Sequence, residues 1–230
     1  MKRAFLYSFK SSLPVLISFL PVGIAYGILM ATAGYSWVWT GTASLVILAG
    51  SLQFLMLTFF AGGVSLITVA LMALLLNSRH IFYGIPFIEK WRKYGFWKYF
   101  LIFALPDESF SLHCANDFDD GNEAHKKMSY VFSAALVHLY WVASSILGAL
   151  LGGVIKFNTT GIDFALTALF IVILLEQMKG ASSRLPALIA LVSAVVCLLI
   201  IGPANFILPS LMITVVILLA LRGKIEGVKA

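Results

Sequence analysis

Charge is what this sequence has least of. Between Lys10 and Arg79 it holds no Asp, Glu, Lys, Arg, His or Cys, and only 11% of its 230 residues are charged, against 61% apolar. Soluble domains carry roughly a quarter charged residues, so a water-facing surface is excluded over most of the chain. Cysteine is scarce too. Cys114 and Cys197 are too few and too far apart for a disulfide framework or a zinc motif, and they leave the redox compartment open. Phosphate-binding glycine loops, nucleophile elbows and zinc-protease helix motifs are absent, so nothing here requires an enzyme or a cofactor. Period-2 alternation is missing from runs such as residues 165–175, which argues against a transmembrane barrel and for helices. The net charge of +6 is scattered at the ends of apolar segments instead of forming a basic stripe with interleaved aromatics. It reads as a set of topology determinants, with no nucleic acid implied. Met1-Lys2-Arg3 leads into no removable signal sequence, so the first helix is read as its own insertion signal.

What is present is apolar sequence in span-sized pieces, at about 20 residues per crossing: 13–33, 39–61, 64–88, 99–116, 129–154, 161–178, 185–202 and 204–221. They leave no room for a soluble domain, and residues 1–230 are read as a single transmembrane domain of all-α, polytopic helical class. If all eight segments cross with the N-terminus inside, the loop with Lys90, Arg92, Lys93 and Lys98 falls outside, against the positive-inside tendency. If 39–61 and 99–116 are re-entrant or broken, six segments cross, both termini are cytoplasmic, and only Lys156 lies outside among the basic residues. Local chemistry agrees. Ala49-Gly50-Ser51-Leu52-Gln53 interrupts the first of these segments and Pro106-Asp107-Glu108 the second, and irregular backbone survives at depth only where protein or water satisfies it. Six spans with two re-entrant segments is therefore the expected topology, with eight spans as the alternative.

The polar residues inside the apolar segments are the candidates for function. Asn77-Ser78-Arg79-His80 interrupts 64–88, and a cation at membrane depth tends to mark a pathway or binding site. Ala73, Asn77, His80 and Gly84 share one helical stripe while Arg79 points away from it, so the helix breaks here or is enclosed by protein. Pro86 makes a break plausible. Arg79 is a candidate carboxylate clamp, and Asn77 and Gln53, the latter an amide beside Gly50 and Ser51 in the other broken segment, are further substrate-binding candidates; the competing reading has Arg79 paired with a buried acid for structure alone. Asp107 and Glu108 follow Pro106, in the first turn of an expected half-helix where acids meet the positive end of the dipole. Asp107 is a candidate for the substrate ammonium, and Asp107, Glu108 and His80 are candidates for proton coupling. His138, Gly148 and Gly152 lie on one face of 129–154, and Gly23-x-x-x-Gly27 marks the first segment; all five are read as helix-packing residues. Thr160 with Asp163 and Glu176 with Lys179 read as a cap and an interfacial pair. His113, Cys114, Asp117, Asp119, Asp120 and His125 match no metal-site spacing and read as a solvated loop.

These motifs also carry a family likeness. Pro21-Val-Gly-Ile-Ala-Tyr-Gly27, Ala49-Gly-Ser-Leu-Gln-Phe54, Asn77-Ser-Arg-His-Ile-Phe-Tyr-Gly84, Asp107-Glu-Ser-Phe110 and Gly161-Ile-Asp-Phe-Ala165, in this order, resemble the AzlC family, the large subunit of branched-chain amino-acid exporters. The resemblance covers nearly the whole chain. It implies export of branched-chain or similar small apolar amino acids across a bacterial inner membrane, alongside a small hydrophobic AzlD-type partner subunit. The roles given to individual residues come from their chemistry and not from the resemblance.

Overall fold

The polar interruptions in the sequence become helix ends in the structure. A computed structural model describes residues 1–116, 118–154, 171, 175, 178, 184–202 and 206–221, except for the side chains of Ala61, Arg79 and Leu208. All regular elements among them are helical: α1 (Lys2–Thr32), α2 (Trp37–Val46), α3 (Gly50–Gly62), α4 (Leu66–Asn77), α5 (Arg79–Tyr83), a 3-10 turn at Ile85–Phe87, α6 (Ile88–Arg92), α7 (Trp97–Phe103), α8 (Asp107–Cys114), α9 (Glu123–Val154), α10 (Leu185–Ile201) and α11 (Ile207–Ala220). Three stretches, Lys2–Thr32, Leu66–Arg92 and Glu123–Val154, are long and apolar enough to cross a membrane. The chain is a polytopic helical membrane protein.

Two compact units form, Met1–Gly63 with Leu76–Thr159, and Val64–Leu75 with Thr160–Ala230. In the second, α10 packs on α11. Leu199, Ile200 and Val216 stay exposed there, as suits helices surrounded by lipid. The expected segment 161–178, with the Thr160–Asp163 cap, the Gly161–Ala165 motif and the Glu176–Lys179 pair, lies outside the described residues apart from Ile171, Leu175 and Met178.

The first unit is built on α1 and α9, which lie side by side and parallel. Ser8 Oγ donates to the Ser129 carbonyl (2.8 Å), Ser12 Oγ lies 3.1 Å from the Tyr140 hydroxyl, and Gly27 meets Gly148 and Ala149. Glycines make the approach possible. A Cβ at Gly27 would run into the backbone of Ser145, Gly148 and Ala149, and one at Gly148 into that of Ile24, while Gly23 faces Ser144 and Gly152 faces Ile28 and Ala31. Small residues let helix backbones touch where no hydrophobic drive between helices exists.

Two broken segments lean on α9 from its opposite ends. The first starts beside the C-terminal end of α1. Gly41 faces Ile146, the Ser44 and Leu45 carbonyls lie against His138, Gly50 faces Trp141, Phe54 meets Tyr26, and Phe60 returns to Tyr35 at 5.0 Å between ring centroids. Helix α2 therefore runs inward along α9, the chain turns at residues 47–49, and α3 goes back the way α2 came. The second starts where Lys93 pairs with Glu123 at 2.7 Å. It climbs until Phe103 meets the His138 ring at 5.7 Å, turns at residues 104–106, and descends to Ser133 through His113 and to Ser129 through Asn116. Neither segment runs the length of α9. Each follows the path of a re-entrant hairpin, and the two enter from opposite ends.

Candidate functional site

The hairpin tips meet near the middle of α9. Leu48, in the turn of the first, packs on the core cluster of the second, which includes Leu101, Ala104, Leu105 and Ala134. His138 touches both hairpins, and one turn further along Trp141 holds the first in place. Its indole N–H donates to Gln53 Oε1, and Gln53 Nε2 donates to Ser44 Oγ at 3.3 Å. Gln53 and Ser44 are fully buried. One amide thus joins the two arms of the hairpin to each other and to α9. Tyr26, also fully buried, stacks on Trp141 at 6.1 Å and meets Phe54 edge-on at 5.4 Å. Its hydroxyl faces Gln53 without closing a hydrogen bond of good geometry.

The turn of this hairpin exposes main chain to the site. Carbonyls in the last turn of a helix, and amides in the first, have no partner within their own helix. Ala49, before α3, supplies no side-chain cap, and the Ile47 amide closes α2 by bonding to the Ala43 carbonyl. The break therefore presents acceptors from the end of α2 and donors from the start of α3 within three residues, and the dipoles place negative potential at one and positive at the other.

The second hairpin carries the ionisable groups. Pro106 precedes α8, and Asp107 and Glu108 occupy its first turn as the sequence predicts. Helix α5, which bears Arg79 and His80, packs on α8 through Tyr83 and Phe110, stacked at 4.6 Å. The helix of 64–88 does break at the polar run: α4 ends at Asn77, Ser78 intervenes, and α5 starts at Arg79. Asn77 Oδ1 is buried without a hydrogen-bond partner. The His80 ring lies 5.5 Å from Tyr83, and the Arg79 side chain lies outside the described residues. The structure therefore brings α5, which bears Arg79 and His80, onto α8, which bears Asp107 and Glu108, while Gln53 sits on the other hairpin with its amide engaged.

One expectation is corrected. His113 does not belong to a solvated loop; it is fully buried, with Nε2 3.1 Å from Ser133 Oγ and edges of Phe87, Trp91 and Tyr130 around its ring. The apolar spacing of Phe87, Trp91 and Tyr94 on the preceding strap puts one aromatic face over it. Burial pushes the Tyr94 hydroxyl up to about 12, which keeps it protonated. Among the described residues, the acidic groups of the loop reach solvent and pair locally. Asp119 pairs with Lys126 and Asp120 with His125, each at 2.7 Å, and these partners hold both carboxyls below their ordinary range. Asn122 Oδ1 accepts from the Ala124 and His125 amides and caps α9. No group of three or more metal ligands gathers among the described residues.

The profile of the AzlC protein family matches residues 14–155, which hold both hairpins, α9 and α1 from Pro14 onward. The chain belongs to the AzlC family. It is 37% identical over 223 residues to the branched-chain amino acid transport protein AzlC of Bacillus subtilis (strain 168), covering 97% of this chain and 87% of that protein. An uncharacterized membrane protein of Haemophilus influenzae (strain ATCC 51907 / DSM 11121 / KW20 / Rd) is 36% identical, with 96% and 92% covered. The inner membrane protein YgaZ of Escherichia coli (strain K12) is 28% identical, with 78% and 75% covered. No solved structure matches this chain. For this member of the family the matched region coincides with the two hairpins and the helix on which they meet.

Proposed function

We propose that this protein exports branched-chain or similar small apolar amino acids from a bacterial cell, driven by protons and working with a small AzlD-type membrane subunit. The whole chain acts as one transport domain in the inner membrane with both termini cytoplasmic. The observation that carries the reading is the meeting of two broken hairpins near the middle of α9. Discontinuous helices placed this way build substrate sites in transporters, because helix ends supply partial charges where full charges are expensive. The name of the Bacillus relative supplies the substrate class.

In this reading the substrate carboxylate goes to Arg79 or to the N-terminal end of a half-helix, and its ammonium to Asp107 or Glu108. Asn77 and Gln53 border the site, and apolar walls take the side chain. Protons move on and off Asp107, Glu108 or His80. Nothing in this scheme calls for catalysis.

The test is efflux of labelled leucine, valine and methionine from dipeptide-loaded cells that express this chain with its small partner. Faster efflux that a protonophore abolishes supports the proposal. Efflux that persists without a gradient and never accumulates substrate points to a pore. No change with the pair correctly inserted removes these substrates.

A further inference from the structure

We propose that His138 is a substrate-contacting residue, presenting Nε2 to the charged head group of an amino acid held between the hairpin tips. This rests on the transport reading above and adds a group which that reading leaves out.

The first ground is position. The His138 ring meets Phe103 of the second hairpin and lies against the Ser44 and Leu45 carbonyls of the first. A substrate passing from the side of one hairpin to the side of the other must pass where the two meet.

The second ground is hydrogen bonding. His138 is 8% exposed, and its Nε2 is buried without a partner in the protein. A buried ring nitrogen without a protein partner leaves room for a bond to a ligand, since buried polar atoms are rarely left alone. Trp141, Ser144 and Ser145 on the same helix all have partners.

The third ground is the chemistry beside it. The break at residues 47–49 offers carbonyls at the end of α2 and amides at the start of α3. Such a pair of helix ends complements a zwitterion, ammonium to the carbonyls and carboxylate to the amides. His138 adds a side-chain group to that main-chain site, and no charged residue of this hairpin is needed.

The experiment uses the full-length chain with its small partner in liposomes, reading leucine KM and kcat by counterflow. His138→Ala is expected to raise KM by about tenfold or more, while His138→Gln, which keeps a polar atom near Nε2, restores most of the loss. A packing role would instead be restored by His138→Leu, with KM unchanged. In a background lacking Cys114 and Cys197, His138→Cys should react with a small methanethiosulfonate, and leucine should slow that reaction. If His138→Cys does not fold, Ser44→Cys on the facing hairpin is put to the same protection test. Wild-type flux with His138→Ala KM within about twofold and no leucine protection overturns this assignment alone. Absence of amino-acid flux in the wild type overturns the transport reading and this assignment with it.

Discussion

From Trp37 to Gly62 the first hairpin carries no ionisable side chain, whereas the second, Trp97 to Cys114, carries Lys98, Asp107, Glu108 and His113. Their anchoring differs accordingly. The first is fixed by one buried amide, Gln53, bonded to Trp141 and Ser44. The second is fixed by aromatic edges around His113 and by the His113–Ser133 hydrogen bond. Under the proposed transport reading, the difference suits the two similar backbones to different tasks. A hairpin that offers only helix ends can bind a charged head group without holding a charge of its own, and one that bears acids can take part in proton exchange. Both lean on α9, so the α1–α9 seam is the frame for either.

The most damaging change removes that frame and abolishes the comparison. Gly27→Val would drive a side chain into the backbone of Ser145 and Gly148. Backbone cannot yield as a side chain can, so the loss should exceed the roughly 1–3 kcal/mol of ordinary overpacking. Loss of monodisperse protein in detergent is the readout, and full recovery would show that the helices are not in backbone contact.

Next in size is a change confined to the first hairpin. Gln53→Leu leaves the Trp141 indole N–H buried without an acceptor, a cost of about 1–3 kcal/mol. Adding Trp141→Phe removes the stranded donor, so the double variant should be destabilised by less than the two single effects summed. Thermal midpoints of the four proteins give the coupling, and strict additivity would deny the hydrogen bond.

A smaller effect belongs to the second hairpin. Ser133→Ala removes the His113 partner but frees the Tyr130 carbonyl, to which Ser133 Oγ donates, beside the ring, so the cost should be only about 0.5–1.5 kcal/mol, with the His113–Trp91–Tyr130 packing retained. If Ser133→Ala proves as costly as Gln53→Leu, the two hairpins are not anchored differently.

The smallest effect is a pH response in the loop leading to α9. Lys126 and His125 hold Asp119 and Asp120 below their ordinary value of 3.8. Carboxyls depressed in the folded state stabilise it above that value, and the contribution is lost as pH falls through the lower folded value. Amide exchange at residues 119–121 should therefore not respond to the Asp119 carboxyl near neutral pH and should rise only as pH falls below its ordinary value of 3.8. A rise already at about pH 5 would contradict the pairing.

Much of this was legible in the sequence because the signals are local. Gly50 and Ser51 mark one break, Pro106 the other, and Ser78 with Arg79 the end of α4; a missing amide or a polar group in apolar surroundings leaves its trace within a few residues. The glycine seam was readable from spacing. What the sequence hid depends on distance. Gln53 and Trp141 lie 88 positions apart, and nothing in either neighbourhood announces the other. The burial of His113 was hidden for the same reason, because it is set by Trp91 and Tyr130 and not by the polar residues beside it. His138 looked like one residue of a packing face, and only the convergence of two hairpins on its ring distinguishes it. Asn122 before Glu123 was a readable cap that the acidic neighbours masked.

Side-specific cysteine labelling in intact and inverted membranes tests most directly whether the two segments turn back. In a background lacking Cys114 and Cys197, Ser36→Cys and Ser65→Cys bracket the first hairpin, and Lys93→Cys and Ala115→Cys the second. The account predicts that the first pair reacts from the outside only and the second pair from the cytoplasmic side only. If the members of either pair react from opposite faces, that segment crosses the membrane and the meeting of two opposed hairpins at His138 is contradicted.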